Sequence, residues 1–226
     1  MIIGNGLMAN AFKPYYEKEK NLIIFASGVS NSKKNLDLEF QREKYMLLEA
    51  LKYKKKIVYF STCSIYDHEL MNSDYVLHKI KMEEIIKSSQ KYAIFRLPQV
   101  VGKTKNKSIL TNFIFNNILS KSHFEAWIGA ERNLIDVEDV ALIANDLIKS
   151  SLANECIINI AATQSISVMQ LIVIFEKIIG VKANYKLIDK GSAYKIEAAL
   201  AQQSAKKLGI EFNDNYIINL IKKYYG

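Results

Sequence analysis

Short apolar runs alternate with segments of helical periodicity along almost the whole chain, and this alternation restricts the possible folds more than any other feature. The runs predict strands at residues 1–3, 22–26, 57–61, 92–97 and 156–160. The periodic segments predict helices at residues 7–16, 37–51, 75–88, 109–119, 137–150 and 167–179. Because parallel neighbouring strands need a helical crossover between them, the pattern predicts an α/β fold with a parallel sheet covered on both faces.

The residues after Gly180 continue the pattern on a smaller scale. Residues 183–188 are strand-like, and helical segments follow that end with residues 215–225. We expect this part to form a small C-terminal lobe beside the sheet. No internal repeat or low-complexity linker divides the chain, so residues 1–226 are interpreted as a single unit.

The composition is that of an ordinary globular protein, with 50% hydrophobic and 24% charged residues. The net charge is +8, but it comes almost wholly from lysines spread along the chain, since Arg42, Arg96 and Arg132 are the only arginines. Nucleic-acid interfaces favour clustered arginine forks, so no nucleic-acid partner is expected. No stretch approaches the roughly 20 apolar residues of a membrane span, and no leader-like segment opens the sequence. We therefore expect a cytoplasmic protein.

The cysteines and histidines do not suggest a metal site. Cys63 and Cys156 lack CxxC spacing and are too few for a disulfide framework. His68, His78 and His123 show no metal-ligand spacing. No metal cofactor is therefore predicted.

A glycine-rich turn directly follows the first predicted strand. Residues 4–9 read GNGLMA and match G-x-G-x-x-A, with glycines at Gly4 and Gly6. These glycines allow a sharp turn and a close approach of a pyrophosphate to the backbone, while the small Ala9 lets helix and strand pack closely. The helix N-terminus then offers free N–H groups to the anion. The motif predicts a dinucleotide-binding, Rossmann-like, doubly wound sheet, although an ordinary strand-to-helix turn can carry the same residues.

A second motif follows the third predicted strand. Ser61 and Thr62 begin the segment STCSIY, and Tyr75 and Lys79 form a Y-x-x-x-K pair. A spacing of four places the phenol and the ammonium on one helix face, which an exposed surface helix would also show. An ammonium near a phenol favours the phenolate, and such a phenol can pass a proton to a carbonyl oxygen that a hydroxyl group steadies. We predict that Thr62, Tyr75 and Lys79 are catalytic.

Together these residues resemble the extended short-chain dehydrogenase/reductase family, the NAD-dependent epimerases, dehydratases and reductases of nucleotide sugars. The resemblance covers nearly the whole chain. It is carried by LIIFAS at 22–27, YFSTCSIYD at 59–67, FRLPQVVG at 95–102, RNLIDVEDVA at 132–141 and NIAATQSISVMQLIVIFEKIIG at 159–180. It implies a dinucleotide-binding core mainly in residues 1–100, with residues 101–226 forming mixed core and substrate lobe.

The resemblance also implies roles for individual residues. Thr62 would bind the carbonyl oxygen, Tyr75 would be the general acid, and Lys79 would hold the nicotinamide ribose. Gln99, where many members carry asparagine, and Arg132, at the place of an arginine that contacts the substrate diphosphate, would bind the nucleotide-sugar substrate. The implied cofactor is NAD or NADP, and the implied cofactor-binding residues are Gly4, Gly6, Leu7, Met8, Ala26, Ser27, Ser61 and Lys79. A homodimer is a further possibility that the resemblance raises.

Three departures from the family pattern are visible. Only one predicted helix separates the glycine turn from the strand at 22–26, where members have two further strands, and the missing piece normally carries the residue that binds the adenosine ribose. Thr62 and Tyr75 are unusually close in sequence, so the loop between them is short. Cys63 and Ser64 stand where the dehydratases carry an Asp-Glu acid/base pair, which argues against water elimination.

We therefore predict a reductase of a nucleotide-activated 4-keto-6-deoxy sugar, acting in surface polysaccharide assembly as the resemblance implies. An epimerase that uses the same residues is the near alternative, and net consumption of reduced cofactor would separate the two. A non-catalytic relative that binds nucleotides or another protein is the second alternative.

Overall fold

The computed structural model describes residues 1–29, 36–89 and 91–226. In chain order, the elements of this part are β1 (Ile2–Ile3), α1 (Leu7–Tyr16), β2 (Leu22–Phe25), α2 (Leu36–Leu51), β3 (Lys56–Thr62), a 3-10 helix (Cys63–Tyr66), α3 (Asp74–Lys87), β4 (Tyr92–Leu97), β5 (Gln99–Val101), α4 (Leu110–Leu119), β6 (His123–Trp127), β7 (Glu131–Asp136), α5 (Val137–Lys149), β8 (Cys156–Asn159), β9 (Ser165–Ser167), α6 (Val168–Ile179), β10 (Asn184–Ile188), α7 (Ala199–Lys207) and α8 (Tyr216–Tyr225).

Five strands form the main sheet in the order β1-β2-β3-β4-β8, and every neighbouring pair is parallel. These are the five strands that the apolar runs predict, each within one residue of its expected bounds. The prediction succeeds because strands buried on both faces of a parallel sheet read as continuous apolar runs. The predicted α/β fold class is confirmed.

β1 lies at one edge of this sheet, next to β2. In a six-stranded dinucleotide-binding sheet the first strand is central, with the second and third strands beyond it. Here the chain passes from α1 directly into β2, which pairs with β1 through Ile2 opposite Ile24 and Ile3 opposite Phe25. The sheet is therefore shortened between its first and second strands, as the sequence predicts.

Helices cover both faces of the main sheet. One face packs against α1, α5 and α7 through an apolar cluster that includes Phe12, Ile24 and Val58. The other face packs against α2 and α3 through a cluster that includes Leu47 and Ile57. Neighbouring strand residues point to opposite faces of the sheet. Because both faces are covered, Ile57 and Val58 are both fully buried, each in a different cluster.

The remaining strands build two small sheets in the C-terminal half. β5, β7 and β9 form one sheet with β7 in the middle, and β6 pairs with β10. With α4, α6 and α8 they surround a separate apolar cluster that includes Leu134, Phe175 and Leu220. Of these five strands the sequence predicts only β10. β5 and β9 have only three residues each, too few to show a periodic pattern, and β6 alternates exposed and buried residues instead of forming an apolar run.

Capping interactions set the ends of two helices in this half. The Asp136 side chain accepts a hydrogen bond from the Glu138 N–H at 2.9 Å at the start of α5. Ser167 and Gln170 form a reciprocal capping box at the start of α6, and Gly180 ends that helix with a φ of 75°. Glycine adopts this left-handed conformation without steric penalty, so Gly180 is suited to end the helix.

Candidate active site

A cleft of about 950 Å³ opens at the carboxyl ends of the main-sheet strands, facing the C-terminal half. Parallel strands bring the residues that follow them to one edge of the sheet, so segments far apart in sequence meet there. Most residues predicted for the site line this cleft: Gly6, Leu7, Met8, Ala26, Ser61, Thr62, Tyr75, Lys79 and Gln99. The other three, Gly4, Ser27 and Arg132, lie outside the lining.

The glycine turn forms one wall of the cleft. Gly4 has a φ of 124°, and a Cβ there would lie 2.4 Å from the carbonyl oxygen of Ala26, so only glycine fits. Gly6 is the N-cap of α1, and a Cβ built on it would meet no described atom within 4 Å. No side chain caps this helix end, and its first turn holds no acidic residue. The free N–H groups of α1 therefore present an anion-binding end to the cleft.

Ser61 places a hydroxyl group against the same cleft. It lies near the end of β3 and is 6% exposed. Among the described residues its Oγ has no hydrogen-bond partner. A buried hydroxyl without a partner is costly and needs an explanation, such as a ligand or a water that completes its hydrogen bonding. Ser61 is therefore suited to hold a polar group of a bound ligand.

Thr62 caps the 3-10 helix that follows β3. Its Oγ1 accepts a hydrogen bond from the Ser64 N–H at 3.0 Å. A hydroxyl that accepts this bond keeps its own hydrogen to donate. Because Thr62 lines the cleft, that hydrogen is available to an oxygen atom bound there.

Tyr75 and Lys79 lie one turn apart in α3, which begins after its N-cap residue Ser73. Tyr75 is half-buried in the cleft wall. Lys79 also lines the cleft but is only 2% exposed, so its ammonium lies at the floor. The structure thus brings Thr62, Tyr75 and Lys79 to one cavity, while it gives the phenol and the ammonium different degrees of access to solvent.

The Lys79 ammonium is held by buried polar groups that sequence reasoning missed. Its Nζ donates to Oε1 of Glu43 at 3.1 Å, to the Tyr59 hydroxyl at 3.0 Å and to the Phe60 carbonyl oxygen at 3.3 Å. Glu43 comes from α2 and is fully buried. A Cβ on Gly28 would lie 2.6 Å from Nζ, so the glycine after β2 leaves the room that the ammonium occupies.

Glu43 is the centre of this group, which we call the Glu43 cluster (Glu43, Tyr59, His78 and Lys79). Its carboxylate accepts hydrogen bonds from the Val29 N–H at 2.7 Å and the Tyr59 hydroxyl at 2.6 Å, and lies 3.1 Å from Nε2 of His78. Burial by itself raises the pKa of Glu43, but the Lys79 ammonium and these hydrogen bonds lower it to about 2. Burial and the nearby carboxylate raise the pKa of Tyr59 well above its usual value. At neutral pH the cluster therefore holds an ionised glutamate and a protonated tyrosine.

One sequence signal could have revealed Glu43. It lies at helical spacing from Leu47 and Ala50, which are both buried on the same face of α2. A carboxylate within an apolar stripe needs a buried partner. The identity of that partner is a tertiary property, since Lys79 lies on another helix.

Arg132 is also paired with a buried carboxylate. Its Nη2 lies 3.7 Å from Oδ2 of Asp67, and its Nη1 donates to the carbonyl oxygens of Glu131 at 2.7 Å and Ser192 at 3.1 Å. Asp67 is fully buried, and its Oδ1 accepts a hydrogen bond from the Ser192 hydroxyl at 2.5 Å. Arg132 is thereby engaged with the segment that carries Ser192.

That segment brings a second phenol to the cleft, which sequence reasoning also missed. Tyr194 lines the cleft, in the irregular stretch between β10 and α7. Burial raises the pKa of its hydroxyl to about 12, although the positive charge of Arg132 opposes the change. Tyr194 is therefore protonated at neutral pH and can donate a hydrogen bond to a ligand. No local motif marks it.

Within residues 1–29, 36–89 and 91–226 the structure contains neither a metal-binding cluster nor a membrane-spanning helix. No group of three or more histidine, cysteine, aspartate or glutamate side chains in these ranges is placed to hold a metal ion. None of the helices there is both long and apolar enough to cross a bilayer.

No protein-family model and no curated protein sequence matches the chain. Solved structures do match it. The structure of RMD from Pseudomonas aeruginosa complexed with NADPH gives a TM-score of 0.71 at 14% identity, covering 97% of this chain and 85% of that one. UDP-glucuronic acid 4-epimerase from Bacillus cereus, in complex with UDP-glucuronic acid and NAD, gives a TM-score of 0.73 at 16% identity. The match covers 98% of this chain and 77% of that one.

A third match is similar in length to this chain. A hypothetical dTDP-4-dehydrorhamnose reductase from Sulfolobus tokodaii gives a TM-score of 0.68 at 14% identity, covering 93% of this chain and 95% of that one. These likenesses establish the Rossmann-like fold. The described part of the chain therefore has a fold similar to that of these three proteins.

Proposed function

We propose that the protein is an NAD(P)-dependent reductase of a nucleotide-activated sugar, with a 4-keto-6-deoxy sugar as its substrate. The observation that carries this proposal is that Thr62, Tyr75 and the open N-terminus of α1 all line one cleft. Nicotinamide cofactors appear in the complexes of similarly folded proteins, bound as NADPH in one and as NAD in another. A catalytic phenol placed beside a dinucleotide site is the arrangement that carbonyl reduction needs.

The residues present fit the pyrophosphate of a dinucleotide. The uncapped N–H groups of α1 would hold its negative charge, and the unpartnered Ser61 hydroxyl would bind a polar group of the ligand. Leu7, Met8 and Ala26 supply apolar or small surface along the same wall. When bound, the reduced nicotinamide supplies the hydride that a ketone carbon accepts.

Tyr75 would deliver the matching proton. Its hydroxyl donates a proton to the ketone oxygen as the carbon accepts the hydride, so that the carbonyl becomes an alcohol. Thr62 would donate a hydrogen bond to the same oxygen, since its Oγ1 accepts from the Ser64 N–H and its own hydrogen stays free to donate. Gln99 lines the cleft and would contact the sugar.

Lys79 would act from the floor of the site. Its three ammonium donors are engaged by Glu43, Tyr59 and Phe60, so contact with a ribose hydroxyl requires it to give up one of these bonds. Arg132 would likewise have to move from Ser192 to reach a substrate diphosphate. We keep both residues as candidate ligand contacts.

Exchange of Tyr75 for phenylalanine tests the proposal. We expect a loss of about 10²- to 10⁴-fold in kcat, the range typical of a general acid. The measurement is the fall in NAD(P)H absorbance with dTDP- or UDP-linked 4-keto-6-deoxyhexose. Tyr53→Phe, at a tyrosine that is 58% exposed, is the matched control and should keep full activity. Retained turnover in Tyr75→Phe, with an unchanged unfolding midpoint, would refute the assignment.

A nucleotide-sugar epimerase is the neighbouring possibility, because an epimerase is among the similarly folded proteins. It would use the same residues and return the cofactor to its starting state. Conversion of the sugar without net NAD(P)H consumption would identify an epimerase.

The proposal has three further parts. The protein would act in polysaccharide assembly, which gene deletion tests. It would act in the cytoplasm, which cell fractionation tests, and as a homodimer, which sedimentation tests.

A non-catalytic nucleotide-binding module is favoured by one specific observation. Lys79 and Arg132, the two cations predicted to touch ligands, are each paired with a fully buried carboxylate. A site that only binds nucleotides does not need these two cations to leave their carboxylates. Nucleotide binding without turnover of any 4-keto sugar would support this function over the reductase.

A further inference from the structure

We infer that Tyr194 donates a hydrogen bond to the sugar ring of the substrate, and that Asp67 is the positioning residue that holds Tyr194 at the cleft. The inference rests on the proposed function and adds a specificity-determining side chain to it. Tyr194 lies in residues 190–198, in the connection between β10 and α7. This connection is held to the rest of the molecule on both sides of the tyrosine.

The backbone before Tyr194 packs closely against the start of β7. The Glu131 N–H donates a hydrogen bond to the Ser192 carbonyl oxygen at 3.2 Å. Gly191 has a φ of 94°, and a Cβ there would lie 2.6 Å from the Cβ of Ala130. Because only glycine permits both this conformation and this close approach, the backbone that leads to Tyr194 has a fixed course.

Asp67 holds the same side of the connection to the segment that follows β3. It is the C-cap of the 3-10 helix that begins after Thr62, and it is fully buried. Its Oδ1 accepts a hydrogen bond from the Ser192 hydroxyl at 2.5 Å and another from the Glu69 N–H at 3.0 Å. The backbone bond fixes the carboxylate, and the carboxylate fixes Ser192, two residues before Tyr194.

Tyr66, the neighbour of Asp67, holds the other side of the connection. Nδ2 of Asn159 lies 3.0 Å from the Tyr66 hydroxyl and donates to the Glu197 carbonyl oxygen at 2.8 Å. Glu197 comes three residues after Tyr194. Two adjacent residues at the end of one 3-10 helix therefore hold the chain both before and after the phenol.

The phenol of Tyr194 lies at the reacting end of the cleft, which Thr62 and Ser64 also line. Burial raises its pKa to about 12, whereas the positive charge of Arg132 and the Ser64 side chain oppose the rise. Ser64 is the residue whose N–H binds Oγ1 of Thr62. Since Thr62 would hold the reacting carbonyl, the part of the substrate beside Tyr194 would be the sugar and not the nucleotide.

A protonated phenol held in this way is suited to select one oxygen atom of a sugar. Tyr75 would deliver its proton to the ketone oxygen, so Tyr194 would donate to a different oxygen of the ring, such as a hydroxyl group. A site that is built to hydrogen-bond a substrate hydroxyl strongly disfavours analogues that lack it. Tyr194 would thus contribute to the choice of sugar.

Steady-state kinetics of Tyr194→Phe test the contact, with whichever dTDP- or UDP-linked 4-keto-6-deoxyhexose the wild type reduces. We expect KM to rise about three- to tenfold, as for the loss of one hydrogen bond, and kcat to change less than about twofold. The dissociation constant of the matching nucleoside diphosphate, measured by calorimetry, should stay unchanged. Tyr185→Phe, at a half-buried tyrosine of β10 outside the described lining of the cleft, is the matched control and should keep the wild-type KM.

The outcomes separate the inference from the proposed function. An unchanged KM in Tyr194→Phe, with turnover by the wild type and its loss in Tyr75→Phe, would overturn the inference alone. Weaker binding of the nucleoside diphosphate by Tyr194→Phe would overturn the assignment of the contact to the sugar. A wild type that converts neither substrate would overturn the proposed function, and the inference with it.

Variants of Ser192 test the positioning role, because replacement of the fully buried Asp67 would itself destabilise the fold. Ser192→Ala removes the hydrogen bond to Asp67 and should raise KM by a factor similar to that of Tyr194→Phe, with kcat unchanged. Ser192→Thr keeps a hydroxyl group and should restore the wild-type KM. A lower unfolding midpoint in Ser192→Ala without a change in KM would show that the bond is only structural and would overturn the role of Asp67.

Discussion

The Lys79–Glu43 pair and the Arg132–Asp67 pair are built from the same kinds of groups but differ in closeness. Lys79 Nζ lies 3.1 Å from Glu43, and both side chains are at most 3% exposed. Arg132 lies 3.7 Å from Asp67, its side chain is 12% exposed, and Oδ2 of Asp67 has no hydrogen-bond partner among the described residues. The first pair is a hydrogen-bonded unit of the core, whereas the second is a loose contact beside the cleft.

A cation predicted from a motif can therefore belong to the core in one place and be loosely paired in another. Removing a buried partner leaves an uncompensated charge, which is far more costly than losing a loose contact. We therefore expect Lys79 to give up its contact with Glu43 less readily than Arg132 gives up its contact with Asp67. Arg132 is the cation that is better placed to exchange its carboxylate for a ligand diphosphate.

The largest effect is expected from Glu43→Ala. It leaves the Lys79 ammonium buried without its carboxylate, and we expect the free energy of unfolding to fall by about 3–5 kcal/mol. Glu39→Ala is the matched control on the same helix, since Glu39 is 51% exposed in its ion pair with Arg42 and should cost less than about 1 kcal/mol. Urea unfolding measures the free energy of unfolding of both variants. Equal losses in the two variants would show that the Glu43 cluster is not a structural unit.

A second prediction concerns acid stability. The pKa of Glu43 is lowered from 4.5 to about 2 in the folded protein, so its stabilising contribution is complete above pH 4.5 and is lost as the pH falls towards 2. The contribution is on the order of 3 kcal/mol, given 1.36 kcal/mol for each pKa unit. The difference in unfolding free energy between the wild type and Glu43→Gln should therefore narrow between pH 4.5 and 2. Urea unfolding curves at a series of pH values test this, and parallel pH profiles of the two proteins would contradict it.

Double-mutant cycles compare the two pairs directly, and they give the smallest of the predicted effects. For Lys79→Met with Glu43→Gln we expect a coupling energy of about 1–3 kcal/mol, because the groups touch and are desolvated. For Arg132→Met with Asp67→Asn we expect a smaller coupling energy, because the charged groups lie 3.7 Å apart and share no hydrogen bond. Unfolding free energies of the single and double variants give both values. A stronger coupling in the Arg132 pair would reverse the comparison.

Much of the fold could be predicted because its signals are local. Leu22–Phe25 is buried on both faces and is therefore a continuous apolar run in the sequence. β6 escaped prediction because its exposed and buried residues alternate, so that it does not form an apolar run in the sequence. In the site, the motif residues Thr62, Tyr75 and Lys79 do line one cleft. Glu43 and Tyr194 carry no motif, so nothing local connects them to it.

The parallel sheet, the glycine turn and the shortening between β1 and β2 follow from the order of the residues alone, because strand periodicity, glycine conformation and segment length are local properties. Which charges are neutralised depends on how the chain packs. Lys79 meets Glu43 across two helices and Arg132 meets Asp67 across two separate segments. The free energy of a charge depends on burial and on its partners, and both arise only when distant parts of the chain pack together.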